Sequence, residues 1–128
     1  MLAAVIGIGS NSVRMLLAEV GDGRMEEVRR EREGTRLFAG LDAQRRLSLE
    51  AMVKTAAAVR AMAESARSSG AQEIRLFATS ATRDAANQAE FAALLAEKAG
   101  LEMEICSGER EAALSFLGAS GEIGRAHV

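Results

Sequence analysis

Three short polar segments carry the residues that could do chemistry in this 128-residue chain. They are Gly9-Ser10-Asn11-Ser12, the hydroxyl-rich stretch from Thr79 to Arg83, and the stretch from Ser107 to Glu111, and each follows a predicted buried strand. Because ligands of open α/β sheets bind beyond the strand ends, we expect the three segments to lie close together. The first segment offers N–H groups and hydroxyls, the second a guanidinium, and the third a carboxylate. This combination suits a phosphoryl group, which needs donors, a cation and a base that activates water.

Each segment also has a purely structural explanation. Residues 9–12 are small and polar between two apolar runs, which is typical of a plain hairpin turn. Arg83 could lie on a solvated helix face beside Asp84, and Glu111 could complement the dipole at the start of a helix. Cys106 is interpreted as a small buried residue rather than a nucleophile, since no histidine partner can be argued for it.

The elements that would position these groups follow from the hydropathy pattern. Residues 2–8 and 13–20 are apolar runs that predict two paired strands. The charged run 25–33 predicts a solvated edge strand, with a short helix as the alternative. Ser48 predicts the start of a helix that reaches about Ser68 and is ended by Gly70. Its buried face is predicted to contain Leu49, Met52, Val53, Ala56, Val59, Met62 and Ala63.

The second half of the chain alternates strands and helices. Residues 74–78 and 102–106 predict strands. Between them, Asn87 and Glu90 predict a capping box for a helix over 88–98 that Gly100 closes. A last helix is predicted from residue 107 to about 119. The order of elements predicts one α/β domain, with a mixed sheet and helices on both faces.

Composition excludes several classes of protein. Apolar residues make up 48% and charged residues 27%, which argues against disorder. The net charge of −2 gives no electrostatic footprint for nucleic acid or an acidic membrane surface. The single cysteine excludes an internal disulfide, and no apolar run is long enough to span a bilayer. We therefore expect a cytoplasmic protein that binds neither nucleic acid nor membrane.

Four motifs lie in a recognisable order along nearly the whole chain. They are Ile8-Gly-Ser-Asn-Ser-Val-Arg14, Thr35-Arg-Leu37 with Gly40-Leu41, Ala78-Thr-Ser-Ala-Thr-Arg-Asp-Ala-Ala-Asn87, and Ser107-Gly-Glu-Arg-Glu-Ala112 with Leu117-Gly118. Together they resemble the exopolyphosphatase / guanosine pentaphosphate phosphohydrolase family. The resemblance implies the ribonuclease-H-like half of the actin / sugar kinase / heat-shock ATPase superfold. It also implies magnesium-dependent release of terminal phosphate from inorganic polyphosphate or guanosine pentaphosphate.

The resemblance also implies roles for individual residues. Gly9, Ser10, Asn11 and Ser12 would form the first phosphate-binding loop, Arg83 would contact phosphate, and Glu111 would be the general base. Two features depart from the family pattern. Gly7 stands where the family has an aspartate that helps to organise Mg²⁺, and the chain ends before the second phosphate loop, which the family places on a partner domain.

The leading hypothesis is that residues 1–128 are the N-terminal domain of such a phosphohydrolase and have little activity without the missing C-terminal domain. The alternative is a non-catalytic binding or self-assembling module of the same fold, which would form homo-oligomers. A kinase or chaperone ATPase of this superfold is a third and weaker hypothesis, because the third and fourth motifs, which begin at Ala78 and Ser107, differ from those proteins.

Overall fold

The computed structural model describes residues 1–21, 23–79, 82 and 84–106. These residues form β1 (Leu2–Ile8), β2 (Ser12–Gly21), β3 (Arg24–Gly34), α1 (Leu49–Ser68), β4 (Glu73–Thr79), α2 (Gln88–Ala99) and β5 (Met103–Cys106). The predicted order of elements is confirmed as far as Cys106. The predicted last helix, from residue 107 onwards, lies outside the described residues.

A single mixed sheet organises the molecule, with β1 in the middle of the strand order β3-β2-β1-β4-β5. β1 pairs antiparallel with β2 and parallel with β4, while β4 pairs parallel with β5. Every residue of β1 from Ala3 to Ile8 is buried. A strand with neighbours on both sides and packing on both faces has no position for a charge, which explains its uninterrupted apolar run.

The charged run forms β3, so the edge-strand prediction is confirmed and the alternative of a short helix is wrong. β3 pairs antiparallel with β2, and the register shifts between Leu17 and Ala18. Arg29 lies opposite Leu17 and Glu27 opposite Ala18, which leaves Val28 as the extra residue, 54% exposed. Charges and a bulge both discourage another strand from pairing with this edge.

The main core lies on one face of the sheet, between the strands and both described helices. Ile6 and Ile8 from β1 meet Met62 from α1 and Phe91 from α2 there. The opposite face carries a smaller buried cluster made of Ala3, Val5, Ala18, Val20 and Phe77. The mixed sheet with helices is thus confirmed. Both described helices pack on the face of the main core, so the prediction of helices on both faces stays a prediction.

Helix α1 begins as predicted, and five of the seven residues predicted for its buried face are buried: Met52, Ala56, Val59, Met62 and Ala63. The Ser48 side chain accepts a hydrogen bond from the Ala51 N–H, as an N-cap should. Leu49 and Val53 were predicted to be buried and are 69% and 47% exposed, so that part of the prediction is wrong. The helix packs through small residues that the hydropathy pattern gave little weight, among them Ala51, Thr55, Ala58 and Ala66. Small side chains allow close approach, and this turns the larger Leu49 and Val53 outwards.

Helix α2 begins at Gln88 and is closed by Gly100, as predicted, but the predicted interaction at its start is not formed. Gly100 adopts φ 70° as a left-handed C-cap, where glycine avoids the strain of a Cβ. The predicted capping box is wrong, because the Asn87 side chain forms no hydrogen bond to the helix start. Its amide is used elsewhere, as described below.

Candidate functional site

A cavity of about 310 Å³ opens where β1 and β4 end and β2 begins. Ile8 at the end of β1 pairs with Ala78 of β4 in parallel register, so both chains leave the sheet side by side. The loop between β1 and β2, residues 9–12, closes one side. We call this space the hairpin cavity; its lining residues are Gly7, Ile8, Gly9, Ser10, Asn11, Ser12, Arg14, Phe77, Ala78 and Thr79.

Gly7 accounts for part of the space in the hairpin cavity. It pairs with Arg14 on β2 and with Phe77 on β4, so the three residues form one row across the sheet. Residues directly paired on neighbouring strands project to the same face. Gly7 brings no side chain to this row, and all three residues of the row line the cavity.

The hairpin loop is held by its carbonyl groups. Asn11 O accepts hydrogen bonds from Thr35 N at 3.1 Å and Arg36 N at 3.0 Å, and Ser10 O accepts one from Phe38 N at 3.2 Å. Gly9 N donates to Ser12 O at 2.9 Å within the loop. Among the described residues, the N–H groups of Ser10 and Asn11 have no acceptor. The loop therefore offers consecutive unsatisfied donors beside a cavity, which is the chemistry of an anion-binding nest.

The segment between β3 and α1, residues 35–48, connects the hairpin loop to the residues that precede α2. Its first part donates to Ser10 and Asn11, as above. Its last part is clamped by Asn87, whose Oδ1 accepts from Leu47 N at 2.8 Å and whose Nδ2 donates to Leu47 O at 3.0 Å. Ala86 N also donates to Arg45 O at 2.8 Å. This use of its amide explains why Asn87 does not cap α2.

Arg75 holds one wall of the cavity in place. Its guanidinium forms a two-pronged ion pair with the Glu104 carboxylate of β5 and lies 5.3 Å from the centre of the Phe77 ring. Hydrogen bonding to Glu104 raises the pKa of Arg75 above its ordinary value, so the guanidinium stays charged. Phe77 is thus fixed from the side opposite to its parallel partner Gly7.

The structure brings together the first group of predicted site residues. Gly9, Ser10, Asn11 and Ser12 all line the hairpin cavity. Thr79, the first residue of the second polar segment, lines it too. Arg83 and Glu111 lie outside the described residues, so their predicted places beside the cavity stay predictions. Thr82 is described; it is fully buried, and its hydroxyl has no partner in that part of the chain.

Several lining residues were not predicted from the sequence as site residues. Arg14, Phe77 and Ala78 reach the cavity through strand pairing with Gly7 and Ile8. Arg14 carried a signal, as an isolated charge in the apolar run of β2 two residues after the polar loop. Phe77 and Ala78 carried none, because only the register of β4 against β1 places them there.

The described lining does not fit a magnesium site on its own. Mg²⁺ prefers carboxylate oxygens, and none of the described residues that line the hairpin cavity is an aspartate or glutamate. A search over the residues that the structure describes finds no cluster of three or more metal-binding side chains. With Gly7 at the position where the family has an aspartate, the polar groups of the described lining are backbone groups, hydroxyls, the Asn11 amide and the Arg14 guanidinium.

No helix in the described part of the chain is long and apolar enough to cross a membrane.

Comparison with known proteins adds to this geometry. Residues 16–128 match the Ppx/GppA phosphatase family. The chain is 39% identical over 132 residues to exopolyphosphatase 2 of Mycobacterium tuberculosis, and the match covers 96% of this chain and 41% of that protein. It is 36% identical over 127 residues to the guanosine-5'-triphosphate,3'-diphosphate pyrophosphatase of Vibrio cholerae, covering 97% of this chain and 26% of that protein.

The fold is similar to that of a solved Aquifex aeolicus member of the same family. The TM-score is 0.80 at 26% identity, and the match covers 94% of this chain and 39% of the other. This likeness confirms the predicted actin-like fold class. The chain spans less than half the length of the curated relatives it matches.

Proposed function

The chain belongs to the Ppx/GppA phosphatase family, and we propose that it is the phosphate-binding half of a phosphohydrolase completed by a second domain. The observation that carries the proposal is the hairpin cavity, with the unsatisfied N–H groups of Ser10 and Asn11 at the carboxyl end of β1. A terminal phosphate has the charge and size to accept from such donors.

The proposed substrate is a phosphoric anhydride, either inorganic polyphosphate or guanosine pentaphosphate. The printed names of two relatives support this substrate class, since one is an exopolyphosphatase and the other a pyrophosphatase of guanosine-5'-triphosphate,3'-diphosphate. Both relatives are more than twice as long as this chain, because the matches cover 41% and 26% of them. We therefore place the groups that complete the site on a missing C-terminal domain.

The reaction follows from the residues in their proposed roles. Gly9, Ser10, Asn11 and Ser12 hold the terminal phosphate, while Arg83 neutralises its charge. Glu111 takes a proton from a water molecule whose oxygen attacks the terminal phosphorus. The bond from that phosphorus to the bridging oxygen breaks, and the shortened phosphate chain leaves with the bond's electron pair. The isolated chain should turn over little substrate, since half of the enclosing surface is absent.

No step of this mechanism passes through a metal, because the described lining supplies no carboxylate. Magnesium dependence is proposed only for the complete enzyme, with its carboxylate ligands outside the described lining. Gly7→Asp tests this point, since it places a carboxylate between Arg14 and Phe77. We expect the variant to bind Mg²⁺ more tightly than the parent by calorimetry. Equal affinity would show that position 7 does not control the metal.

A chimera tests the proposed function directly. Residues 1–128 are joined to the part of the Mycobacterium tuberculosis exopolyphosphatase 2 that follows the matched region, and phosphate release is measured. We expect release by the chimera and little by the chain alone. Glu111→Gln in the chimera should lower turnover by about 10²- to 10⁴-fold. Equal turnover by the chain alone would contradict the need for a second domain, and an unchanged Glu111→Gln chimera would contradict the role of Glu111.

A binding measurement keeps the proposal testable when the chimera does not assemble. The isotope-labelled 128-residue chain is titrated with inorganic phosphate and followed by NMR. Shifts of the Ser10 and Asn11 amide resonances are expected, since these N–H groups are the proposed donors. Absence of any shift up to millimolar phosphate would count against the hairpin cavity as the phosphate site.

Self-assembly of the isolated chain remains the competing proposal. One described feature favours it, namely Leu49 and Val53, which are one helical turn apart on α1 and both exposed. Sedimentation at high concentration distinguishes the two, because a strictly monomeric chain excludes a self-assembling module.

A further inference from the structure

The segment between β3 and α1 sets the direction of the peptide unit that joins Ser10 to Asn11. Phe38 N, in that segment, donates to Ser10 O at 3.2 Å. The peptide bond between Ser10 and Asn11 is trans and planar, so its C=O and its N–H point in opposite directions. The hydrogen bond from Phe38 therefore fixes the direction of the Asn11 N–H, which is one of the two proposed phosphate donors.

The far end of the same segment is held by the chain that follows Arg83. Asn87 binds both backbone groups of Leu47, accepting from its N–H at 2.8 Å and donating to its carbonyl at 3.0 Å. Asn87 lies four positions after Arg83, the proposed phosphate-binding arginine. One segment thus connects the hairpin loop to the chain that follows the second polar segment.

Burial and hydrogen bonds keep the shape of this segment between its two ends. Leu37 and Leu47 are buried in the main core. Between them, the stretch from Asp42 to Arg46 is exposed, so burial does not hold it. Asp42 Oδ1 accepts there from Gln44 N and Arg46 N, both at 2.9 Å. The segment is therefore held along its length and can pass a change at one end to the other.

Two residues of the segment adopt left-handed backbones. Arg36 has φ 50° and Arg45 has φ 60°. This conformation costs a non-glycine residue energy and persists only where the surrounding contacts hold it. Each residue lies at an attachment point, since Arg36 N donates to Asn11 O at 3.0 Å and Arg45 O accepts from Ala86 N at 2.8 Å. We expect the segment to relax at these points when an attachment is lost.

We propose that Asn87 is a positioning residue for the phosphate site, because through residues 35–48 it holds the hairpin loop with the Asn11 N–H directed at the hairpin cavity. The inference rests on the proposed function of that cavity. Asn87 itself does not touch phosphate. It spares the loop the cost of becoming ordered when phosphate binds. Because coupling between two sites is reciprocal, phosphate must in turn stabilise the contact between Asn87 and Leu47.

The first experiment titrates inorganic phosphate into the 128-residue chain and its variants, and the Ser10 and Asn11 amide shifts give the affinity by NMR. Asn87→Ala should weaken phosphate binding by about fivefold, the lower end of the usual coupling between separate sites. The matched control is Leu94→Ala, which removes half-buried contacts of α2 with the main core. It should lower stability in urea denaturation, as Asn87→Ala does, and bind phosphate like the parent.

The second experiment needs no substitution. Amide hydrogen exchange of Leu47, whose N–H donates to Asn87, is measured in the parent chain with and without saturating phosphate. Phosphate should slow this exchange by about fivefold, the same factor seen from the other site. The control amide is Gly100 N–H, which closes α2 by donating to Ala96 O at 3.1 Å. Its exchange rate should be the same in both samples.

The possible outcomes separate this inference from the proposed function. Weaker phosphate binding by Asn87→Ala but not by Leu94→Ala, with slower exchange at Leu47, supports the inference. Unchanged affinity of Asn87→Ala, or exchange at Leu47 that ignores phosphate, would restrict Asn87 to a structural role and overturn it. So would an equal loss of affinity in Leu94→Ala, because any loss of stability would then suffice. Absence of Ser10 and Asn11 shifts in the parent would overturn the proposed function as well.

Discussion

The hairpin cavity and a second cavity of about 330 Å³ at the start of α1, which we call the α1 cavity, are built from different groups. They share a wall, because the N–H groups of Thr35 and Arg36, which line the α1 cavity, donate to the carbonyl of Asn11, which lines the hairpin cavity. The described lining of the hairpin cavity is backbone, hydroxyls and mostly uncharged side chains, and Arg14 is the one charged residue among the described ones. The α1 cavity is lined by two long cationic side chains and the first turn of a helix. Backbone donors are fixed by the sheet and recognise the position of a group, whereas flexible charged side chains recognise charge and are screened by salt. The first cavity therefore offers donors at fixed positions, whereas the charged side chains of the second can move.

The sharpest way to break this comparison is to change the hairpin cavity alone. Asn11→Ala removes an exposed side-chain amide from its lining but keeps the carbonyl that binds Thr35 and Arg36. In the chimera we expect phosphate release to fall by about 10²-fold, as for the loss of one donor to a developing charge. Thermal stability should not change.

The matched control for Asn11→Ala is Gln72→Ala, which removes an exposed amide from the segment before β4. It should leave both turnover and stability at the parent values. A fall in turnover equal to that of Asn11→Ala would show that the assay responds to any surface change.

The second prediction concerns Asn87, whose side-chain amide holds the backbone of Leu47 just before α1. Asn87→Ala leaves the buried Leu47 N and O without their partners, directly before the N-cap of α1. Unsatisfied buried backbone groups should lower the free energy of unfolding by about 1–3 kcal/mol. Urea denaturation measures this loss, and Gln72→Ala serves again as the control. Unchanged stability would mean that water replaces the clamp at no cost.

A substitution at Gly40, which lines the α1 cavity, tests how closely this position packs against Ser48. A Cβ at position 40 would lie 2.9 Å from both Cβ and Oγ of Ser48, which is the N-cap of α1. Gly40→Ala should therefore destabilise the protein by about 1 kcal/mol through overpacking. Gly34→Ala is the control, because nothing lies within 4 Å of a Cβ there. Equal effects of the two substitutions would show that Ser48 moves aside freely.

The smallest expected effect concerns acid and the loop before α1. Asp42 Oδ1 accepts from the N–H groups of Gln44 and Arg46, each at 2.9 Å. The hydrogen bond from the Arg46 backbone is the main cause that lowers the pKa of Asp42 below its ordinary 3.8. A carboxyl with a lowered pKa stabilises the fold fully above its ordinary pKa and loses that contribution as the pH falls through the lowered value.

Comparison of the parent with Asp42→Asn over a pH series checks this expectation. The parent should be slightly more stable at neutral pH, and the difference should disappear only below about pH 3.8. A difference that vanishes well above that pH would contradict the lowered pKa. The effect is small because the side chain is exposed.

Much of the fold could be predicted because it depends on local periodicity. The uncharged run of β1, the charges of β3 and the glycine that closes α2 each identify an element without reference to distant residues. Predictions failed where packing between elements decided the outcome. Leu49 and Val53 are apolar but exposed, because small residues set the contact face of α1.

The residues of the candidate site likewise fall into those that local sequence identifies and those that only packing between elements brings to the cavity. The four residues of the hairpin loop could be identified from their small polar side chains between two strands. Phe77 and Ala78 could not, since only the parallel register of β4 against β1 brings them to the cavity. The left-handed backbones of Arg36 and Arg45 carried no signal either, because arginine has no preference for that conformation.

The sequence by itself therefore determined the order of strands and helices and the loop that faces the first cavity, since hydropathy and turn residues encode both locally. The tertiary structure decided how residues 35–48 join that loop to Asn87. That connection depends on hydrogen bonds between residues that are 24 and 40 positions apart, as in Asn11 with Thr35 and Leu47 with Asn87. Backbone groups form the first of these contacts, and every residue carries such groups, so no side-chain pattern announces them.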